Sequence, residues 1–448
     1  MGKMINIQPI TRIEGHASID IQLDDSGNVS DAKMNMMSLR GFEKFIQGKP
    51  AEEVPRIVSR ICGICPWMHH MASNKAVDGC FGVTPPPAGN KLRELMQTIA
   101  HAEDKLLHFF FLAAADFVIG PDADYAVRNV IGIAKANPEL AQKVVKMRYK
   151  AKMILENFAG KAIHPVAGVT GGFAKPMLET ERKEILADME EMLDFAMFTI
   201  EFAKEKVFPP YIETIKALVI NTGFIGTVDD EGALNLYDGK IRMMKPDGTF
   251  TDFDVKDYTD YIGEHVENYS YAKMPYAKFW NEGFSLDLDN PKGIYRANTL
   301  ARINACDKMA TPKAQAELEE FRESFGRPAQ ATLLYHWARL IEEVYACEHA
   351  IELLKDPEIT DTNIRTKVEP CAGRGVGAVE APRGTLIHDY TTDENGLIVK
   401  ANMIVGTTHN VAPINMSVKQ AAMTLIKDGK VDEGILNQVE MAVRAYDP

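Results

Sequence analysis

Hydrophobic and polar residues alternate over several short stretches of the chain, a pattern that predicts β-strands. Between His16 and Met37 the alternating stretches flank the turn DDSGN, so we expect a hairpin with one buried face. Residues 235–289 combine alternation in GTFTDFDV with the turns DGK, PDG and NPKG, which predicts a mostly β insertion. Alternation returns after residue 380, where DENG closes a second predicted hairpin.

Apolar residues at three- and four-residue spacings predict helices over most of the remaining chain. The longest begins after the proline block 85–87 and runs from Asn90 to Val118. Further helices are predicted at residues 139–158, 179–207, 312–325, 329–354, 418–426 and 433–446.

These elements predict an α+β fold that is mainly helical, with a central bundle of long helices and β elements at both chain ends. We expect one large interwoven domain over residues 1–448. Its parts are a β-containing N-terminal part at 1–60, the helical bundle at 90–210 and 312–355, the β-rich insertion at 235–289, and a C-terminal β/α part at 380–448.

Composition narrows the class of protein. The chain has 448 residues and a net charge of −13, with 46% hydrophobic and 25% charged residues. These proportions exclude disorder and a small disulfide scaffold, and the acidic charge argues against a nucleic-acid groove. No apolar run reaches the roughly 18 residues of a membrane helix. The opening MGKMINIQPITRIEG contains no export leader, so we expect a cytoplasmic protein without a membrane span.

The densest chemical signal is RICGICPWMHH, which places Cys62 and Cys65 at C-x-x-C spacing. Two such sulfurs can bind one metal or form a redox disulfide, and Gly63 lets the backbone fold tightly between them. A structural zinc site would need a second pair, and the other four cysteines are isolated in the sequence. Two buried core cysteines without chemistry are the third interpretation of this motif.

Four other segments carry weaker signals: RIEGH at 12–16, RGFE at 40–43, EAPRGTLIH at 380–388 and GTTHN at 406–410. The first two place a carboxylate beside an arginine and a glycine, which is more typical of a surface or capped turn than of a site. Pro382 and Gly384 enclose Arg383 in a turn that we expect to expose its guanidinium. GTTHN has the small hydrogen-bond donors of an anion cradle or of an ordinary turn.

Taken together and in this order, these segments, with DKLLHFF and the dipeptide DP at 447–448, resemble the large subunit of nickel-iron hydrogenases. The resemblance runs from Thr11 to Pro448. The short N-terminus and the form RICGICPWMHH are most similar to the cytoplasmic, methyl-viologen-reducing group that partners heterodisulfide reductase. The resemblance therefore implies reversible heterolytic cleavage of dihydrogen.

The family holds nickel and iron with four cysteine sulfurs, two of them bridging, and carries carbon monoxide and cyanide on the iron. By resemblance, Cys62 is the terminal nickel ligand and Cys65 a bridging ligand. Glu43 matches a ligand of a magnesium-type ion, and the carbonyl of Met403 matches a second ligand of that ion. Soft thiolates suit the nickel-iron pair.

An arginine stands above the metals in the family, and Arg383 matches it, with Pro382 beside it. Asp104 and Asp447 match the carboxylates that orient this arginine. Without the resemblance, Asp104 reads as a solvated helix position. Thr407 matches a hydroxyl that binds cyanide.

Two further residues match roles next to the sulfurs. His69 matches the residue that hydrogen-bonds the bridging sulfur, and Glu14 matches the gate that passes the proton outward. Whether a terminal ligand or Arg383 first takes the proton stays open. Electrons must leave through iron-sulfur clusters of a small partner subunit, because this chain's own cysteines cannot build one, and a further electron-transfer subunit is expected.

The family has a second C-x-x-C directly after DP, whereas this sequence stops at Pro448. A sequence cut at this point, a split gene, or a stop read at a selenocysteine codon would each account for it, and we favour the selenocysteine. Two rival functions remain: a metal-free subunit of a quinone- or ferredoxin-linked dehydrogenase, and a non-catalytic assembly subunit in which the pair packs or binds zinc.

Overall fold

Helices make up about half of the chain in the computed structural model, which describes residues 3–37 and 40–448. The α-helices are α1 Phe42–Phe45, α2 Val54–Val58, α3 Pro66–Cys80, α4 Pro87–Leu107, α5 Ala114–Val118, α6 Val130–Ala136, α7 Pro138–Ala159, α8 Glu179–Phe202, α9 Ile212–Ala217, α10 Tyr258–Tyr261, α11 Thr299–Ala305, α12 Pro312–Phe325, α13 Tyr335–Lys355, α14 Gly406–His409, α15 Val411–Leu425 and α16 Glu433–Arg444.

Short strands form several small sheets. The strands are β1 Met4–Ile7, β2 Ala17–Leu23, β3 Val29–Met36, β4 Gly168–Val169, β5 Gly172–Phe173, β6 Gly223–Val228, β7 Lys240–Met244, β8 Phe250–Phe253, β9 Ile262–His265, β10 Met274–Ala277, β11 Tyr295–Arg296, β12 Gly373–Ala381, β13 Gly384–Thr392 and β14 Ile398–Ile404. The predicted α+β class with a dominant helical part is confirmed.

The helical bundle is built around α13, which packs on α4 and α8, while α7 packs on α4. Almost every side chain of α13 is buried, including charged ones such as Arg339, Glu342 and Glu343, so the helix exposes little of its surface. The predicted helix 90–118 is present as α4, one π-helical turn at His108–Ala113, and α5. A π-helical turn also extends α8, at Ala203–Val207.

The predicted hairpins are present as antiparallel pairs. β2 pairs with β3 with Ile19 opposite Met34, and β1 adds a third strand to that sheet. β13 pairs with β14 across the DENG turn, and β12, which the glycine-rich sequence did not reveal, completes a second three-stranded sheet. In the insertion, β7 and β8 form one sheet with β6 from before residue 235 and β11 from after residue 289, and β9 and β10 form a separate two-stranded sheet.

Three helix predictions need correction. α3 was not expected, because nearly all its side chains are buried and no polar face marks its period. α13 begins at Tyr335 and not at residue 329, because Ala331 forms a β-bridge with Val219 and a 3₁₀ turn follows. α15 begins at Val411, seven residues before the predicted start. Over the described residues no helix is both long and apolar enough to cross a membrane.

Both chain ends meet at the start of α3. In α16, the Arg444 guanidinium donates to the Thr11 carbonyl over 3.0 Å, and the Glu14 amide donates to the Pro448 carbonyl over 3.1 Å. The largest hydrophobic core contains residues from both ends, from Ile7 to Tyr446. The fold thus brings the RIEGH, C-x-x-C and DP segments together.

Candidate metal centre

Two cysteine side chains meet where the chain turns into α3. Cys62 follows the 3₁₀ turn Ser59–Ile61, and Cys65 directly precedes α3. Their sulfur atoms lie 2.6 Å apart without a disulfide, and the Cys65 amide donates to the Cys62 sulfur over 3.1 Å. Cys65 is buried and Cys62 is half-buried. The pair therefore presents two sulfurs toward one point, as binding to a shared metal requires.

The charge of this pair favours a cation as its ligand. A hydrogen bond with Cys62, together with burial, raises the pKa of the Cys65 thiol well above its ordinary value, while Arg383 acts in the opposite direction. Two thiolates at this distance repel each other unless positive charge lies between them. Soft sulfur donors prefer soft or borderline transition metals.

Glu14 lies against the outer side of the pair. The Cys62 thiol donates to its Oε2 over 3.3 Å, and the Gly63 amide donates to its Oε1 over 3.3 Å. The carboxylate is half-buried, so it stands between the sulfur and the outside of this chain. This is the position that a residue passing a proton outward must occupy.

A buried ion cluster fixes the loop that carries Glu14. Arg12 has a left-handed backbone conformation (φ 58°), and its guanidinium binds the Asp116 carboxylate. Arg444 also binds this carboxylate, over 2.9 Å. The arginine of RIEGH is therefore anchored to a buried carboxylate, while Gly15 and His16 at the end of the segment are exposed.

Arg383 is the tip of the turn between β12 and β13 and is only 3% exposed, so the expectation of an exposed guanidinium is wrong. The turn points inward between α4 and the C-terminus. Its Nη1 donates to Asp104 over 3.0 Å, and its Nη2 forms an ion pair with Asp447 at 2.9 Å that lacks the alignment of a hydrogen bond. Burial alone would lower the pKa of Arg383, but the two carboxylates raise it well above its ordinary value.

Both carboxylates that hold Arg383 are buried. Asp104 is 1% exposed within α4, so the alternative of a solvated helix position is wrong. Burial raises the pKa of both Asp104 and Asp447, and Arg383 opposes the rise in each. Asp447 pairs with Arg383, the adjacent Pro448 carbonyl accepts from the Glu14 amide, and Glu14 contacts Cys62, so these contacts link the guanidinium to the sulfur pair.

His69 lies one turn into α3 and begins a chain of buried hydrogen bonds. Its Nδ1 contacts the Nε2 of His388 over 3.2 Å, the Nδ1 of His388 contacts the Tyr390 hydroxyl over 2.5 Å, and that hydroxyl contacts Ser73. Burial lowers the pKa of His69 to about 3, so the ring is neutral. Sequence reasoning missed His388 and Tyr390. Their spacing of two residues along β13, which places both on one face of the strand, was the available signal.

Pro382 and Thr407 lie on two segments that touch. Gly406, which precedes Thr407, packs on the backbone of residues 383 and 384, where an added Cβ would lie only 3.0–3.1 Å from backbone atoms. The Asn410 side chain donates to the Arg383 carbonyl over 3.0 Å. Asn410 was also missed, and it ties the GTTHN segment to the arginine turn.

A separate cavity of about 150 Å³ contains Glu43 and Met403 together. Arg40, Glu264 and Lys273 also line it, and Lys273 pairs with Glu264 over 2.7 Å. Nowhere in residues 3–37 and 40–448 are three or more His, Cys, Asp or Glu side chains grouped to hold a metal ion. Both candidate sites, the cysteine pair and this cavity, therefore need ligands from other groups.

Unsatisfied polar atoms surround the sulfur pair. Several buried atoms there have no hydrogen-bond partner in the described chain: Nε2 of His69, Nε and Nη2 of Arg383, Oδ2 of Asp104 and both carboxylate oxygens of Asp447. Each unsatisfied buried group costs about 1–3 kcal/mol. Their concentration beside two thiols fits a soft metal that carries small polar ligands.

Comparisons with known proteins agree with this chemistry. The family described as nickel-dependent hydrogenase matches residues 40–144 and 237–448, and one described as HoxL-like matches residues 4–39. Over 430 residues, 96% of its length, the chain is 49% identical to the whole of a vhu subunit of F420-non-reducing hydrogenase from Methanococcus voltae.

Two solved structures share the fold over 100% of this chain. An NAD+-reducing NiFe hydrogenase in the H2-reduced state has a TM-score of 0.93 and 37% identity, with 98% of that chain covered. A NiFeSe hydrogenase from Dm. baculatum has a TM-score of 0.81 and 25% identity, with 99% covered.

Proposed function

The chain belongs to the nickel-dependent hydrogenase family, and we propose that Cys62, Cys65, Glu14 and Arg383 are its contribution to the centre that cleaves dihydrogen. It is the catalytic large subunit of such an enzyme. The observation that supports the assignment of these residues is their arrangement: two sulfurs 2.6 Å apart, a carboxylate 3.3 Å from one of them, and a buried guanidinium.

Cys62 and Cys65 would hold the nickel-iron centre, Cys62 as terminal ligand and Cys65 as bridge. When bound, that centre, with carbon monoxide and cyanide on its iron, supplies the Lewis acid that polarises dihydrogen and the site that takes up its electrons. Pro382 and Thr407 would surround the iron's small ligands, and His69 would donate to a bridging sulfur.

Glu14 is the group best placed to carry the proton away. The Cys62 sulfur and the Glu14 carboxylate are within hydrogen-bond reach, so a proton on the sulfur can pass to the carboxylate without rearrangement. Arg383 stays protonated at physiological pH, like any arginine. It therefore acts as a fixed positive charge that Asp104 and Asp447 hold in place.

The remaining soft ligands would come from a second pair, and we propose selenium as its first member by similarity to the NiFeSe hydrogenase. Four soft ligands are needed, and no other cysteine makes a hydrogen bond to Cys62 or Cys65 within the described residues. Elemental analysis for selenium and mass spectrometry of the purified complex test this, and an active complex with neither selenium nor a second cysteine pair would contradict it.

A second metal ion, of the magnesium type, would bind at the cavity that contains Glu43 and the Met403 carbonyl. The cavity places both groups together, and carboxylate and carbonyl oxygens are the ligands that hard cations prefer. Because these are only two protein ligands, water or other groups must complete the coordination.

Electrons would leave through an iron-sulfur small subunit, since the described cysteines form no cluster-binding set. The relative from Methanococcus voltae is named as one lettered subunit of an F420-non-reducing hydrogenase, which implies a complex of several subunits. On this basis we assign the chain to the methyl-viologen-reducing group, located in the cytoplasm. Its further partners would be heterodisulfide reductase and one more electron-transfer subunit.

Replacing Cys65 tests the assignment of the metal centre. Cys65→Ser should abolish incorporation of nickel and iron, because a bridging sulfur serves two metals and a hydroxyl is a hard donor. Cys306→Ser is the matched control, since Cys306 is also buried and its sulfur contacts the Ile303 carbonyl and Arg322 rather than Cys62 or Cys65. A Cys65→Ser complex that retained both metals and oxidised dihydrogen would contradict the assignment. Zinc in the parent complex would favour the alternative of a non-catalytic assembly subunit. A parent complex without metal would favour the alternative of a subunit of a quinone- or ferredoxin-linked dehydrogenase.

A further inference from the structure

A fully buried cluster of charged side chains lies behind the Arg383 turn. It consists of Arg302 on α11, Glu342 on α13, Glu380 on β12, and Lys105 and His101 on α4. Each is at most 1% exposed. None of them belongs to the set of residues assigned to the metal centre above.

The Arg302 guanidinium donates hydrogen bonds from all three of its nitrogen atoms. It binds both oxygens of Glu342 over 2.7 Å and the Oε2 of Glu380 over 2.9 Å. It also donates to the carbonyls of Ala381 and Pro382 over 2.8 and 3.0 Å. These two carbonyls belong to the residues that directly precede Arg383, so Arg302 fixes the backbone from which Arg383 enters the site.

The same cluster reaches the helix that carries Asp104. Lys105, the next residue on α4, contacts Glu342 at 3.3 Å and donates to the Nδ1 of His101 over 2.8 Å. Because an ammonium group cannot accept, Nδ1 of His101 is unprotonated and its Nε2 carries the hydrogen. That Nε2 then donates to the Glu380 carbonyl over 2.9 Å. One cluster therefore holds both the turn of Arg383 and the helix of Asp104.

Stability alone is a poor explanation for such a cluster. Buried ion pairs lose about as much in desolvation as they gain, and apolar residues of the same volume are often as stable. The cluster instead contributes a fixed orientation, because a planar guanidinium holds two carbonyls and two carboxylates in one geometry. A displacement of about 1 Å in a reacting group can cost about a hundredfold in rate.

We propose that Arg302 is a positioning residue for dihydrogen cleavage, which holds the Ala381–Pro382 backbone so that Arg383 stays aligned with Asp104. The proposal rests on the role of Arg383 given above. Arg302 touches none of the reacting atoms and acts only through Arg383.

The test compares Arg302→Lys with a matched control in the purified complex. Lysine keeps the charge but cannot hold two carbonyls and two carboxylates together. Arg93→Lys is the control, because Arg93 is similarly buried and also binds two backbone carbonyls, those of Val169 and Gly172, together with one carboxylate, Asp78. Its partners lie outside the proposed site. If Arg302→Lys does not fold, Glu342→Gln replaces it as a milder variant. It weakens the ion pair between Glu342 and Arg302.

Two readouts are combined. Amide hydrogen exchange should become about tenfold faster or more at residues 383 and 384 in Arg302→Lys and stay at the parental rate in Arg93→Lys. Turnover per bound nickel should fall about tenfold in the parental background and by less than about twofold in an Arg383→Lys background, because the two residues act as one unit. Arg93→Lys should have the same effect on turnover in both backgrounds.

Unchanged exchange at the turn, or losses of turnover that multiply in the double variant, would overturn the proposal. A parent complex without dihydrogen activity would instead overturn the proposed function. The exchange result would still show whether Arg302 holds the turn, so the two failures are distinguishable.

Discussion

Arg383→Lys tests the central electrostatic feature of the site. The guanidinium binds Asp104 and Asp447, and each carboxylate is at most 2% exposed. A lysine keeps the charge but has a single point of contact, so one buried carboxylate loses its partner. The loss of one charge-assisted hydrogen bond is about 1.5–3 kcal/mol, which is below the about 3–5 kcal/mol for removing a buried charge altogether.

If Arg383 contributes this interaction to the transition state, the same free energy appears in the rate. A loss of about 1.5–3 kcal/mol corresponds to a decrease in kcat of about tenfold to a hundredfold. The assay is dihydrogen-dependent reduction of methyl viologen, normalised to bound nickel so that incomplete metallation does not contribute. Thermal unfolding of the same preparations reports the cost in stability.

Arg93→Lys again supplies the comparison, because it should lower stability without lowering turnover per nickel. Parental turnover in a fully metallated Arg383→Lys complex would refute the reasoning. Arg383 would then be a structural residue that closes the turn between β12 and β13.

Two further predictions concern titratable groups. Glu14→Gln should retain both metals and lower dihydrogen turnover by about a hundredfold or more, since an amide cannot carry the proton; parental turnover would exclude Glu14 as the gate, and Glu181→Gln, at a half-buried carboxylate that also accepts from a backbone amide but lies at the start of α8, shows whether the loss is specific. For His349, burial opposes the charged ring, but hydrogen bonds with Glu352 and Glu94 raise its pKa to about 9. Because the folded pKa exceeds the unfolded value of about 6.5, the stabilisation is complete below about pH 6.5 and is lost by about pH 9, up to about 3 kcal/mol. Denaturant unfolding between about pH 6.5 and about pH 9 should show the free energy of unfolding decrease in the parent chain and change less with pH in His349→Gln. Identical pH profiles of the two proteins would contradict the raised pKa of His349.

Local pattern was sufficient for most of the fold. The helix predicted at 312–325 is α12, and the hairpin predicted between His16 and Met37 is β2 with β3. In both, one face is buried and the other is polar, so the period of the sequence reports the element directly. Where every face is buried, as in α3 and most of α13, that signal disappears, and α3 was missed.

For the candidate site, too, the sequence predicted some features and only the structure showed the others. The sequence determined the residue types and their order, because the C-x-x-C pair and the segments RIEGH, APRG and DP are each short and local. Only the tertiary structure decided which of them meet: it buried Arg383, which its proline and glycine neighbours suggested was exposed, and placed Glu14 against Cys62. It also brought Arg302 behind the turn from a helix about 80 residues away in sequence, a separation at which no periodicity carries information. Such contacts depend on how whole helices and sheets pack, and a buried ion cluster forms only where that packing excludes water and lets its charges pair.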